Sequence, residues 1–163
     1  MDRKDLKGKT CCFTGHRDLP AHKTERIAKR TEEEIRRLIV DEGICFFGVG
    51  GAIGYDTLVA EVLFRLRERE FPDIKVILVY PFEGFANGWT SEQKAVYNKL
   101  LPKYDKTVCV SPRPCRGAYL ARNRHLVDGS AYCISYCTRS YGGTAYTVQY
   151  AKRKGLELRN VDG

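Results

Sequence analysis

No apolar stretch in this 163-residue chain approaches the roughly 18 residues that a membrane-spanning helix requires. The opening residues, Met1 to Lys9, are charged and lack the apolar core of a secretory signal, so the expected location is cytoplasmic. Tryptophan occurs once and histidine three times, and no Cys/His set falls at metal-ligand spacing. The seven cysteines are an odd number. Cys133 and Cys137 are too widely spaced for a CxxC redox motif. Six of the seven, Cys11, Cys12, Cys45, Cys109, Cys133 and Cys137, lie inside or beside apolar runs, as small buried hydrophobes do in a reducing compartment. No metal and no disulfide framework is expected. There is no linker, repeat or low-complexity tract, so residues 1–163 are expected to form a single domain, large enough for a core of its own.

What the chain does have is positive charge, +8 at neutral pH, which favours an anionic partner ranging from a nucleotide to nucleic acid. Part of that charge is helical surface, as in Lys23–Arg37 and Arg65–Arg69. Arg113, Arg116, Arg122, Arg124 and Arg139 crowd into one segment instead. No run of interleaved basic and aromatic residues marks a groove for a single strand of nucleic acid.

Six apolar runs alternate with helical patterns. The runs are Thr10–Thr14, Ile44–Gly48, Lys75–Tyr80, Lys106–Val110, Ala131–Tyr136 and Leu156–Val161. Helices are expected near Thr24–Asp41, Tyr55–Glu70, Thr90–Leu101, Ala118–Asp128 and Thr144–Lys154, the last ending at Gly155 as a C′ glycine. Short continuous apolar strands separated by helices imply a mainly parallel sheet with helices on both faces. The expected architecture is one three-layer, Rossmann-like α/β domain.

In such a sheet the loops at the carboxyl ends of the strands gather on one edge, and ligands bind there. Three of these loops carry glycine with hydroxyl, acidic or basic groups. Gly142-Gly143-Thr144 opens a helix after a strand, and Thr147 lies one turn further on. Free N–H groups at the positive end of a helix dipole seat a phosphate. Gly50, Gly51, Gly54 and Asp56 form a second loop, in which Asp56 either accepts ribose hydroxyls or caps the following helix. Gly15, His16 and Arg17 form the third. Arg122 and Asn123 add a planar cation and an amide from a helix, and Asp128 near its end is a partner for Arg122, Arg124 or a ribose, or a turn cap. The aromatic loop Pro81–Trp89 is expected to overhang the same edge as a lid, a partner surface or a packed loop, and Trp89 either stacks on a base or anchors that loop.

Four ordered blocks resemble one family: Cys12-Phe13-Thr14-Gly15-His16-Arg17, Gly50-Gly51-Ala52-Ile53-Gly54-Tyr55-Asp56, Arg122-Asn123-x-x-Leu126-Val127-Asp128 and Gly142-Gly143-Thr144-Ala145-Tyr146-Thr147. They look like the YpsA-like family of the SLOG superfamily, which includes the Rossmann-like domain of DprA and the LOG phosphoribohydrolases. The resemblance runs from about Thr10 to Gly155. It implies a Rossmann-like domain binding a nucleotide-derived ligand, and bacterial members are linked to cell division. In the LOG motif Gly-Gly-x-Gly-Thr-x-x-Glu, the glutamate position is Thr147 here. A threonine is a poor substitute for a carboxylate in activating water, so the resemblance implies phosphate binding more than catalysis.

The leading expectation is binding or sensing of an ADP-ribose- or NAD-like ligand by a domain of regulatory character. Its phosphate would lie on Gly142–Thr144 and Gly50–Gly51, with Arg17 and Arg122 neutralising charge. Two rivals stand beside it: a nucleoside-phosphate N-glycosidase using Glu83 or Asp56, and a nucleic-acid binder. His16 is a candidate ligand contact more than an acid/base, having no partnered carboxylate nearby. A homo-oligomer is plausible from the superfamily.

Overall fold

A computed structural model describes residues 3–162; Met1, Asp2 and Gly163, at the ends of the expected domain, lie outside it. A short helix, α1 (Arg3–Gly8), leads into β1 (Thr10–Gly15), and five further strands follow: β2 (Phe46–Val49), β3 (Lys75–Tyr80), β4 (Lys106–Cys109), β5 (Tyr132–Tyr136) and β6 (Glu157–Asn160). All neighbouring strands pair in parallel, in the order β4-β3-β2-β1-β5-β6. The expected six-stranded Rossmann-like sheet is therefore present, with β1 at its centre: Cys12 registers with Gly48 of β2 on one side and Cys133 of β5 on the other.

The connections are α2 (Thr24–Glu42), α3 (Tyr55–Arg69), α4 (Ser91–Leu100), α5 (Ala118–Asp128) and α6 (Gly142–Arg153). The pleat of β1 sends Cys11 and Phe13 to one face and Cys12 to the other, as a two-residue period requires. The first face buries Phe13, Phe47 and Ile134 under Ile27, Ile35 and Leu38 of α2 and Leu63 of α3. The second buries Cys12, Val79 and Cys133 under Leu126 and Val127 of α5 and Ala151 of α6. Helix α2 presents its stripe Ile27, Thr31, Ile35, Leu38 at helical spacing and ends at Gly43, whose φ is 68°. Thr90 caps α4 in a capping box with Gln93, with N···O distances of 3.1 and 3.0 Å, so this helix begins one residue later than its cap. Gly155, at φ 81°, follows α6 as expected.

Some expectations shift. Helix α1 was not foreseen, because its charged sequence carries no apolar period. Helix α6 starts at Gly142 rather than Thr144, so both glycines fall within its first turn. Cys11, Cys12 and Cys133 are buried, but Cys109 is exposed and Cys45 and Cys137 are half-buried. Strand β4 is an edge strand, so the alternating apolar residues around Cys109 do not have a sheet neighbour on both sides. Among the described residues no helix is long and apolar enough to cross a membrane.

A cleft at the switch point of the sheet

From β1 the chain steps out through β2, β3 and β4 in one direction; β5 returns to the other flank of β1. The loops leaving β1 and β5 therefore diverge to opposite faces, and a cleft opens between them at the carboxyl edge. The cavity there measures about 410 Å³. It brings together Gly15 at the end of β1, His16 and Arg17 just after it, Asp56 of α3, Arg122 and Asn123 of α5, and Gly142, Gly143 and Thr144 of α6. Three of the four blocks, the outermost separated by more than a hundred residues in sequence, thus meet through their side chains or helix ends, and the fourth contributes Ala52 and Asp56. Gly50, Gly51, Gly54 and Thr147 do not line it.

Those four have other work. Gly54 adopts φ 79°, and a Cβ there would sit 2.3 Å from Arg17 O and 2.7 Å from Arg17 Cα. The loop after β2 and the loop after β1 are thus pressed backbone to backbone, and Tyr55 N donates to His16 O at 3.1 Å. Gly54→Ala is expected to cost roughly 3 kcal/mol through combined overpacking and dihedral strain, lowering the thermal midpoint by roughly 10 °C in a scan. Gly50 is wedged between two charged groups: a Cβ would lie 2.8 Å from both Arg122 Nη1 and Asp56 Oδ2. A Cβ on Gly51 would strike Leu78 at 2.6 Å. Thr147 is buried, and its hydroxyl donates to Gly143 O at 2.8 Å inside α6.

Arg122 and Asp56 form the floor of the cleft, 4% and 7% exposed. Arg122 Nη1 donates to Gly50 O, and its Nε donates to Asn123 Oδ1 at 2.8 Å. Asp56 is not the helix cap: Gly54 holds the cap position of α3, and Asp56 Oδ2 accepts instead from Ala52 N at 3.1 Å. Burial raises the Asp56 carboxyl above its ordinary range, opposed by Arg122 and by the Ala52 N–H. Burial likewise lowers Arg122, opposed by Asp56. The two charges support each other across Gly50 in a site that disfavours either alone.

His16 is buried, with Nε2 accepting from Thr138 N at 2.9 Å and its ring edge-on to Tyr136 at 5.7 Å. The imidazole is therefore a neutral acceptor that ties the loop after β5 to the end of β1. Burial first, and Arg139 second, lower its pKa from 6.5. The unfolded chain then binds the proton more readily than the folded one, so stability is full above about 6.5 and falls as pH drops below it. A thermal scan from pH 7 to pH 5 is expected to show this decline, and His16→Gln, whose amide oxygen can also accept from Thr138, to flatten it.

The helix end carries the opposite character. Tyr141, the cap residue of α6, makes no side-chain cap bond. No atom outside the helix lies within 4 Å of a Cβ placed on Gly142 or Gly143. The first turn of α6 thus presents its N–H groups to the cleft without a protein acceptor from its cap side chain. Arg17 lies over the Tyr119 ring at 4.9 Å, and Arg122 approaches the same ring at 5.9 Å. Arg139 pairs with Asp18 at the rim. Arg139, one of the crowded arginines, and Tyr141, next to the glycine pair, also line the cleft, together with Tyr119 and Asp18, which no sequence motif marks. The signal for Tyr119 was its place on α5 three residues before Arg122, one helical turn away.

The remaining candidates sit elsewhere. Asp128 accepts from Tyr150 OH at 2.7 Å, whereas Arg124 reaches Tyr146 OH at 3.3 Å. Glu83 accepts from Tyr80 OH and lines a separate cavity of about 470 Å³ beneath the aromatic loop. Trp89 packs edge-on to Phe85 at 5.4 Å and Tyr97 at 5.7 Å, anchoring that loop on α4. Phe82 of the same loop lies edge-on to Tyr119 of the cleft wall at 5.7 Å. Among the described residues no group of three or more His, Cys, Asp or Glu side chains could hold a metal ion.

The model of the YspA SLOG family, YpsA, matches residues 12–160. The chain belongs to this family. Among its relatives are UPF0398 proteins of Shouchella clausii, 28% identical over 135 residues covering 81% of this chain and 72% of the relative, and of Bacillus velezensis, 28% identical over 138 residues covering 83% and 73%. Its fold is similar to that of DNA processing protein A from Helicobacter pylori, with a TM-score of 0.63 at 18% identity over 96% of this chain and 67% of that one. The likeness to the Streptococcus pneumoniae protein gives 0.60 at 17% identity over 94% of this chain and half of that one. The first of these structures is described for its single-stranded DNA binding mode.

Proposed function

We propose that the switch-point cleft binds a nucleotide-derived ligand, an ADP-ribose- or NAD-like molecule, with a phosphate on the first turn of α6. The observation that carries this reading is the end of α6 itself: Gly142, Gly143 and Thr144 line the cleft, Tyr141 supplies no side-chain cap, and space for a Cβ at both glycines is empty. An anion there meets first-turn N–H groups that the cap side chain does not engage and sits at the positive end of the helix dipole. Arg17, exposed at the rim and braced on Tyr119, adds a cation that can follow the phosphate. Asp56 and Asn123 supply acceptors for ribose hydroxyls, and Tyr119 an aromatic wall.

The place of Thr147 supports binding without turnover. Where LOG-type sites carry glutamate, this hydroxyl is buried and donates to a backbone carbonyl. Asp56 is the remaining carboxylate on the floor, and it already accepts from Ala52. Calorimetry with AMP, ADP-ribose, NAD and ribose 5-phosphate, coupled to product analysis, tests both parts. Saturable binding of an intact nucleotide supports the reading, and accumulation of ribose 5-phosphate from AMP moves the site to an N-glycosidase.

A further inference from the structure

Beside the cleft, on the outer face of α5 and α6, the fold assembles a surface that the linear sequence conceals. Tyr141 is 72% exposed and Tyr146 37% exposed. Tyr146 and Tyr150 lie four residues apart on α6 with their rings nearly parallel, 10° apart in plane and 6.4 Å between centroids. Cations surround them: Arg124 of α5 donates to Tyr146 OH at 3.3 Å, while Arg153 and Lys154 lie 5.8 and 5.5 Å from the Tyr150 centroid. A concavity of about 390 Å³ runs from Tyr141 and Gly142 past Tyr146 to Arg153, joining this surface to the mouth of the cleft. Asp128, the acid beside it, is engaged by Tyr150.

We propose that this face binds single-stranded nucleic acid, independently of the small ligand in the cleft. The exposed rings of Tyr141 and Tyr146, with the half-buried ring of Tyr150 beside Tyr146, offer stacking platforms to unpaired bases, and flanking guanidinium and ammonium groups contact the phosphates between them. A duplex keeps its bases stacked on one another and cannot use the rings. A protein partner would be served by apolar contacts, whereas here Tyr146 and Tyr150 are each accompanied by positive charge.

The test is fluorescence anisotropy with a 5′-labelled twelve-residue oligothymidylate, a duplex of the same length and, by calorimetry on the same samples, AMP. If Arg124, Arg153 and Lys154 each meet one phosphate, affinity for the single strand should fall about 20-fold between 50 and 200 mM salt. The duplex should bind at least about tenfold more weakly. Tyr146→Ala with Tyr150→Ala should weaken the single strand by at least about fivefold, one stacked base being the smallest loss. Tyr146→Phe with Tyr150→Phe should retain it, and AMP binding should be the same in all three proteins. No binding of the oligonucleotide, equal binding of the duplex, or an unaffected double alanine variant with an unchanged thermal midpoint overturns the proposal. So does a Tyr146-dependent dimer in sedimentation without oligonucleotide binding, which would assign the face to a second copy of the chain. Loss of AMP binding alone touches the cleft and leaves this surface standing.

Discussion

Gly143→Asp is expected to abolish nucleotide binding while leaving the fold intact. Gly143 has no positive φ and lies in the first turn of α6, with nothing within 4 Å of a Cβ placed on it. An acidic residue there agrees with the helix dipole, so the thermal midpoint should stay level or rise slightly. Its carboxylate, however, occupies the seat assigned to phosphate. Like charges about 4 Å apart at an effective dielectric of about 20 repel by about 4 kcal/mol, so affinity for AMP or ADP-ribose should drop by at least roughly 100-fold. Gly143→Ala, which adds bulk without charge, should bind within a few-fold of the parent. Titration calorimetry on the three proteins separates charge from bulk. Equal affinity in Gly143→Asp would place the phosphate elsewhere.

Arg122→Ala is the second large effect, and it falls on stability. The arginine is 4% exposed, donates to Gly50 O and Asn123 Oδ1, and balances a carboxylate that is itself buried. Removing it leaves Asp56 uncompensated and the Gly50 carbonyl without its donor, a loss of about 3 kcal/mol by analogy with broken buried pairs. Urea denaturation should show the midpoint shift, and a thermal scan a fall of roughly 10 °C. Arg122→Lys should recover only part of this, since an ammonium cannot reproduce the planar two-way contact. A stable Arg122→Ala protein that merely fails to bind ligand would make this residue a solvent-facing clamp, contrary to its burial. Because the substitution disturbs the floor of the cleft, loss of binding in it carries less weight than loss in Gly143→Asp.

The fold was legible because its strands are short unbroken apolar runs and its helices carry periodic stripes. Phe13, Phe47 and Ile134 announced the sheet, and Ile27, Ile35 and Leu38 announced the helix over it. The parallel order then followed, and with it the edge on which the loops converge. The site was legible only in part. Gly142, Gly143 and Thr144 stood out because a glycine pair and a hydroxyl open a helix straight after a strand, in a chain with two further loops of related composition. Gly50 and Gly54 stood out for the same composition but serve close packing: one accommodates Arg122 and Asp56, the other the Arg17 backbone. A glycine's spacing in sequence does not tell which neighbour it makes room for. Tyr119 escaped notice because its role depends on Arg17, a hundred residues earlier, lying across its ring. The tyrosine–arginine face escaped for a related reason. Arg124 comes from α5 and the tyrosines from α6 and its cap, so no single segment interleaves them.

The measurement that bears most directly on the cleft is calorimetric titration of AMP, ADP-ribose, NAD and ribose 5-phosphate into the intact protein, followed by product analysis after prolonged incubation. Saturable one-to-one binding of at least one intact nucleotide, lost in Gly143→Asp and without release of ribose 5-phosphate, is the expected result. No heat from any of the four, or binding that survives Gly143→Asp unchanged, would contradict a phosphate seat on α6.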